Sequence, residues 1–473
     1  METLLEAALR LGRGETSSQE LVRESLDRVA EREEELHAFL TLLPESAIEE
    51  AQASDRRRAA GQAMSVFDGI PWSAKDNLLT EGVRTTAASR ILGDYLPPYS
   101  ATVVGRIEAQ GAVLLGKTNL DEFAMGSSTE YSAFGPSRNP VDPTRVPGGS
   151  SGGSAVAVAA GMCHFALGSE TGGSVRQPAA FCGVVGVKPS YGRVSRYGLI
   201  AFASSLDQIG TLTRDVRDAA ALLGVIAGGD PMDQTASTAP AQDYLAAARE
   251  GGKGLTFGVP PEYLGEGVAP EVRAEVERAA GLLERHGLTR RDVSLPHTPY
   301  ALDAYYIIAP AEASSNLARF DGMRYGPRAD AQDLAEAYRR SRGQGFGPEV
   351  KRRILLGTYV LSAGYYDTYY LQAQRLRTLL RDEFLQAFRD VDVLLTPTTP
   401  TTAFRLGENT QDPLAMYMAD TLTIPANLAG LPAISVPGRP VGGLPVGLQL
   451  MAAPLREDLM FRVAATLEEV AAR

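Results

Sequence analysis

The chain has 473 residues, a formal net charge of −11, 44% hydrophobic and 22% charged residues, and only two cysteines. Those fractions suit a folded globular protein and exclude collagen-like, disordered and disulfide-scaffold classes. No apolar run reaches 18 residues, so no membrane-spanning helix is expected, and an acidic chain is a poor neutraliser of phosphates on its own.

Residues 1–60 read as helical and charged, a segment expected to pack on a core formed by residues 61–473. Ser17 and Glu20 fit a capping box ahead of the apolar Leu21, Leu26 and Val29. Glu2 and Glu6 interrupt the apolar start, which therefore does not read as a signal peptide; a reducing cytoplasm is the simplest compartment. From Gly69 onward short apolar runs alternate with helical stretches. Runs at 70–74, 112–115, 255–259, 391–395, 433–436 and 446–451 read as strands. Residues 102–110 read as helical, and 270–286, 366–388 and 456–472 as amphipathic helices. This interleaving predicts the α/β class, with helices on both faces of a sheet. Residues 228–243, small and polar, are either a linker or an exposed loop.

The anomaly lies at residues 146–187. These 42 residues hold ten glycines and five serines but only two charges, Glu170 and Arg176. The apolar pieces 155–160 and 181–187 rule out a flexible linker. Glycines in a buried segment imply tight turns or close approach to a ligand, and buried hydroxyls need hydrogen-bond partners. An active site is expected here. Two motif matches compete for it. Residues 111–118 fit GxxxxGK[ST], but the variable positions Ala112, Val113, Leu114 and Leu115 read as a strand instead of a phosphate-cradling loop, which makes a P-loop ATPase a weak alternative. Residues 148–152 fit GxSxG, yet only His286 and His297 lie far enough downstream to complete a triad, and neither position is persuasive. A serine site without histidine needs another base, and lysine is the main alternative. Lys75, at the end of a buried run, is expensive there unless neutral or well bonded.

At this point the residues resemble a family. Phe67-Asp68-Gly69-Ile70-Pro71 with Lys75-Asp76-Asn77, Gly148 to Ser154, and Gly168 to Ala179 look like the three motifs of the amidase-signature family, with Lys75, Ser150 and Ser174 at spacings of 75 and 24 residues. The resemblance covers nearly the whole chain. It implies a single large domain with a central mixed β-sheet. It also implies a Ser–cis-Ser–Lys triad. Ser174 would be the nucleophile, Lys75 the base and Ser150 the relay, with a cis bond at Gly149–Ser150. The amides of Thr171, Gly172, Gly173 and Ser174 would form the oxyanion hole. Arg176 would order the loop through Glu170.

Residues 305–308, 312–322, 349–358 and 416–420 resemble the family's glutamine-hydrolysing branch. That likeness implies glutamine as substrate, with Arg353 and Asp420 on its α-carboxylate and α-ammonium and Tyr305 assisting; Arg352 and Tyr306 are the neighbouring alternatives. It further implies ammonia transfer to a larger GatB-type subunit, with a small GatC-type subunit joining the pair. There, glutamate or aspartate mischarged on tRNA would be amidated with ATP and magnesium. This chain itself would carry no cofactor or metal. A free-standing amidase is the nearest alternative.

Overall fold

The computed structural model describes residues 1–471. Its first ordered features follow the sequence directly. Thr3 and Ser17 cap the helices Leu4–Arg13 and Ser18–Leu36 with capping boxes: the Ser17 hydroxyl accepts from Glu20 N, and the Glu20 carboxylate accepts from Ser17 N at 3.0 Å. Leu4, Ala7, Leu11 and Leu21 are buried in the same apolar cluster as Trp72, Phe165 and Leu448. The segment expected to be helical also supplies a strand, β1 (Phe39–Leu42).

The remaining strands are β2 (Pro71–Lys75), β3 (Val113–Thr118), β4 (Phe165–Glu170), β5 (Val185–Lys188), β6 (Gln208–Thr213), β7 (Thr256–Gly258), β8 (Thr289–Arg291), β9 (Val393–Pro397), β10 (Ala433–Pro437) and β11 (Gly447–Ala452). All eleven join one mixed sheet in the order β1-β3-β2-β4-β6-β5-β10-β11-β9-β7-β8. The six apolar runs read as strands all lie in it. β4 and β6 are harder to see in the sequence: each is wholly buried yet carries Ser, Gly, Thr or Gln among its apolar residues. The helix Pro270–Arg285 matches its expected span. The stretch 366–388 begins as a π-helical turn, Tyr366–Tyr370, before the α-helix Leu371–Ala387. The expected helix 456–472 corresponds to Glu457–Ala471, and residue 472 lies outside the described residues. Residues 228–243 form a loop bound to the same body. Asp230 accepts from Thr102 and Ser195, and Ala239 and Pro240 accept from Arg193.

The centre of the sheet positions the chemistry. β2 is parallel to both β3 and β4, so the carboxyl ends of three buried strands lie together. Ligand sites in α/β sheets form at such ends. Lys75 ends β2, Thr118 ends β3 beside it, and Ser169 and Glu170 end β4. The P-loop pattern is resolved here as well. Lys117 is buried within β3, donates to Leu78 O at 2.6 Å and Thr85 Oγ1 at 2.8 Å, and lies 3.6 Å from Asp76. No phosphate could reach it. No described helix is long and apolar enough to cross a membrane.

The last helix and the first are both tied to the helix Val216–Ile226 through carboxylates. Both Glu468 oxygens accept from Val216 N, at 3.0 and 3.2 Å, and Asp218 accepts from Leu4 N at 2.6 Å and Leu5 N at 3.0 Å. Burial, reinforced by Asp215, raises Glu468 to about 8 and Asp218 to about 7, with Asp218 adding to the rise of Glu468 and Glu6 to that of Asp218. A carboxyl raised in the folded state binds more protons there than in the unfolded chain, so its contribution to stability falls as pH rises through the folded value. Glu468→Gln keeps an acceptor for Val216 N without the charge. Its melting temperature should therefore gain on the parent protein's between pH 5 and pH 9. A difference independent of pH would show that Glu468 does not titrate with folding.

Candidate active site

Lys75 comes into the interior on β2 and meets hydroxyls and a carbonyl. Its Nζ donates to Ser150 Oγ and Ser151 Oγ, both at 2.8 Å, and to Ser169 O at 3.1 Å. Ser151 Oγ in turn donates to Ser169 O at 3.0 Å and accepts from Ser169 N. No carboxylate forms an ion pair with Lys75 among the described residues. Asp121, Glu170 and Asp207 act only at longer range, and burial outweighs them, lowering the amine to about 7. A neutral lysine is therefore populated near pH 7.

Ser150 and Ser151 immediately precede the helix Gly152–Ala159, and the Gly149–Ser150 peptide bond is cis. Ser174 immediately precedes Val175 and the helix Arg176–Cys182. Its carbonyl accepts from Ser151 N at 3.0 Å, which brings its backbone against the Lys75–Ser150 pair. The Ser174 hydroxyl makes no hydrogen bond among the described residues. The lysine–relay half of the expected chain is thus formed, and the relay–nucleophile half is not. Such contacts commonly tighten only when a substrate fills the site. Ser174 is 5% exposed.

The amides of Thr171, Gly172, Gly173 and Ser174 donate to no backbone or side-chain acceptor among the described residues. Four N–H groups without a protein acceptor in a buried loop are available to an anion. The loop is glycine-rich because its neighbours stand too close for side chains. A Cβ on Gly172 would lie 2.9 Å from the Tyr305 ring. One on Gly173 would collide with Thr423 Oγ1 and lie 2.9 Å from Asp420 Oδ1. Glu170 ties the loop down. It accepts from Val175 N and Arg176 N and pairs with the buried Arg176 guanidinium, which also reaches Gln449, Thr423 O and Asn427. Burial pushes the Glu170 carboxyl up, and Arg176 outweighs it, holding the group below its ordinary range.

Tyr305, Arg353 and Asp420 assemble around this loop. Tyr305 OH shares a hydrogen bond of 2.7 Å with Thr171 Oγ1. Arg353 is buried and donates from Nε to Glu349 Oε1 at 2.8 Å. Its guanidinium carbon lies 5.3 to 5.5 Å from the ring centres of Phe202, Tyr306 and Tyr417. Arg352 also reaches Glu349, but its side chain is 46% exposed against 4% for Arg353, which separates the two neighbours. Tyr306 stacks on Tyr417 at 3.8 Å, forming the wall of the guanidinium site, while Tyr305 faces the loop 171–173. Asp420 Oδ2 accepts from Ser127 Oγ, and Asp420 Oδ1, buried against Gly173, has no partner. Burial raises the Asp420 carboxyl to about 8, with Ser127 and Arg353 pulling the other way.

The sequence reading misses Ser151, Ser127, Glu349, Tyr417 and Thr423. Glu349 is visible in principle, four residues before Arg353 on one helix. Ser151 sits in the same serine pair as Ser150. Ser127 and Thr423 come from distant loops and carry no local signal.

An amidase family model matches residues 20–461, and the chain belongs to that family. The A component of the glutamyl-tRNA(Gln) amidotransferase of Moorella thermoacetica is 58% identical over 459 residues, 97% of this chain and 94% of the relative. Its namesake from Thermosynechococcus vestitus is 56% identical over 471 residues, 99% and 98% of the two chains. The crystal structure of the corresponding glutamyl-tRNA(Gln) amidotransferase component from Thermotoga maritima superposes with a TM-score of 0.82 at 45% identity, covering 99% of this chain and 94% of that one.

Removing one member of a buried ion pair strands the other, which costs about 3 to 5 kcal/mol. Arg176→Met should therefore lower the urea midpoint substantially. A midpoint unchanged by this substitution would mean that Glu170 is held by its backbone donors alone.

Proposed function

We propose that this chain is the glutaminase component of a glutamyl-tRNA(Gln) amidotransferase, acting on free glutamine through Lys75, Ser150 and Ser174. The supporting observation is a pair of buried, opposite charge sites beside an empty anion cradle. Asp420 offers an unpartnered oxygen at Gly173, and Arg353 stands close enough to bias its titration. An amino acid carries the ammonium and carboxylate that such a pair would recognise; a simple amide carries neither.

Lys75 takes a proton from Ser150 as Ser150 takes one from Ser174, and Ser174 Oγ attacks the side-chain amide carbon of glutamine. The resulting oxyanion is held by the amides of residues 171–174. Collapse breaks the C–N bond, the relayed proton goes to the leaving nitrogen, and ammonia departs. Water then attacks the glutamyl ester at Ser174, with Lys75 and Ser150 again moving the proton, and glutamate is released. Ammonia passes to a GatB-type partner that holds ATP, magnesium and the mischarged tRNA, joined through a small GatC-type subunit in the cytoplasm. The net charge of −11 suits this division, since the phosphate-rich ligands lie on the partner. This chain needs no cofactor or metal of its own.

Glutamine hydrolysis should vanish in Lys75→Ala, Ser150→Ala and Ser174→Ala, since members of one relay act as a unit. Ammonium chloride should still support tRNA amidation by the assembled complex of each variant. Near-normal glutaminase activity in Ser174→Ala would remove it as nucleophile. Turnover of simple amides by the chain alone, with no preference for glutamine, would favour a free-standing amidase.

The pH dependence should divide between two groups. Lys75 must be neutral, so kcat should fall about tenfold per pH unit below about 7, the value at which its amine stands. Asp420 must be ionised to hold an ammonium, so KM for glutamine should rise as pH falls below about 8. Asp420→Asn should raise KM by about 10- to 100-fold, as expected for a charge-assisted contact of about 1.5 to 3 kcal/mol, and abolish the rise at low pH. An Asp420→Asn enzyme with unchanged KM would place the ammonium elsewhere.

A further inference from the structure

Asp420 and Ser150 come from different parts of the chain, and one side chain spans the gap between their supports. Gln177, on the helix that follows Ser174, is fully buried. Its Oε1 accepts from Gly149 N at 2.9 Å, and its Nε2 donates to Ser127 O at 2.8 Å. Gly149 is joined to Ser150 by the cis peptide bond, and the N–H that Gln177 holds is on its other side, in the Gly148–Gly149 peptide. Ser127 is the residue whose hydroxyl holds Asp420 Oδ2 and leaves Oδ1 open. The unbroken path is therefore Asp420, Ser127, Gln177, Gly149, Ser150, Lys75.

The surroundings leave Gln177 little freedom. A Cβ on Gly148 would collide with Gln177 Oε1 and lie 2.8 Å from Pro178 Cα. On the other side of the same peptide, a Cβ on Gly149 would collide with Asp121 Oδ2 and lie 2.6 Å from Ser128 N. The Asp121 carboxylate accepts from Ser128, Thr129 and Tyr131 N, winding the loop that bears Ser127 around itself, and Asp121 N donates to Ser150 O. Asp121 thus fixes the shape of that loop. Gln177 alone among the described side chains hydrogen-bonds both Ser127 and Gly149, the residue before Ser150. A primary amide suits this position because it presents one acceptor and one donor to a backbone N–H and a backbone carbonyl.

We infer that Gln177 is a positioning residue that holds the ammonium-binding pair Ser127–Asp420 in register with the proton relay at Ser150. It touches neither substrate nor reacting atoms. This inference rests on the reading of Asp420 as the ammonium site.

The two halves of the role separate in two substitutions. Gln177→Glu keeps an acceptor for Gly149 N but turns an acceptor toward Ser127 O. It should raise KM for glutamine at least tenfold while leaving kcat within about threefold. Gln177→Leu loses both bonds and should lower kcat as well, including with an activated ester such as p-nitrophenyl acetate, which has no α-ammonium. The deciding measurement is a cycle between Gln177→Glu and Asp420→Asn in the full chain assembled with its partner subunits. Because Gln177 acts on KM through Asp420, the double variant should have the KM of Asp420→Asn alone, within about twofold. Multiplying KM effects would overturn the inference and leave Gln177 a purely structural residue. So would a Gln177→Glu enzyme with the parent protein's KM, provided Asp420→Asn has raised it. If Asp420→Asn itself leaves KM unchanged, the ammonium assignment fails first, and the inference falls with it.

Discussion

Everything at the centre of this protein depends on burying a lysine amine where no carboxylate touches it. Three lysines are fully buried near the sheet, and their surroundings decide what each can do. Lys117 has Asp76 at 3.6 Å and stands at about 8. Lys188 is lowered to about 7, as Lys75 is, but its amine is spent on the carbonyls of Pro189 and Leu431. Only Lys75 has lost its charge preference while facing two serine hydroxyls. A depressed pKa alone would not distinguish it from Lys188; the hydroxyls at 2.8 Å do. The low charge density of residues 146–187 is the sequence-level trace of this constraint, since any acid placed in contact with Lys75 would lock it as ammonium.

The same constraint explains which parts can be read from the chain. β2, β10 and β11 are mainly apolar runs buried along their length, each interrupted by a polar residue (Ser73, Ser435 and Gln449), and such strands are legible within a residue or two. β4 does not read as a strand because its last residues serve the site: Ser169 gives a carbonyl to Lys75 and a hydroxyl to Asn77, and Glu170 gives a carboxylate to Arg176. Ser150, Ser174 and the loop 171–174 are legible because each sits in a compact run of glycines and serines, and Lys75 because it is a charge at the end of a buried run. The substrate-facing shell is only partly so. Arg353 and Asp420 are reached by resemblance alone, while their supports Ser127, Tyr417 and Thr423 depend on loops that only the tertiary fold brings together. Periodicity cannot register a contact between residues 127 and 420.

Two buried carboxylates at the oxyanion loop show how environment assigns roles. Glu170 has a guanidinium in contact and two backbone donors, and it is held in the charged form. Its electrostatics are complete within the chain, which is the condition of a structural group. Asp420 has a single hydroxyl on one oxygen and nothing on the other, so burial carries it up to about 8. A carboxyl left this way costs stability unless something returns its charge, and the group able to do so is a cation arriving from outside. Arg353 presents the converse case. Glu349 occupies its Nε and three aromatic rings cover its faces, leaving the ends of the guanidinium for an incoming anion. One acid lacking a cation and one base with spare donors, set beside four unclaimed amides, are satisfied together by a zwitterion that also carries an amide. On the proposed reading, preference for glutamine over a simple amide follows from the burial of Asp420: a ligand that leaves it unpaired must bind its proton as well.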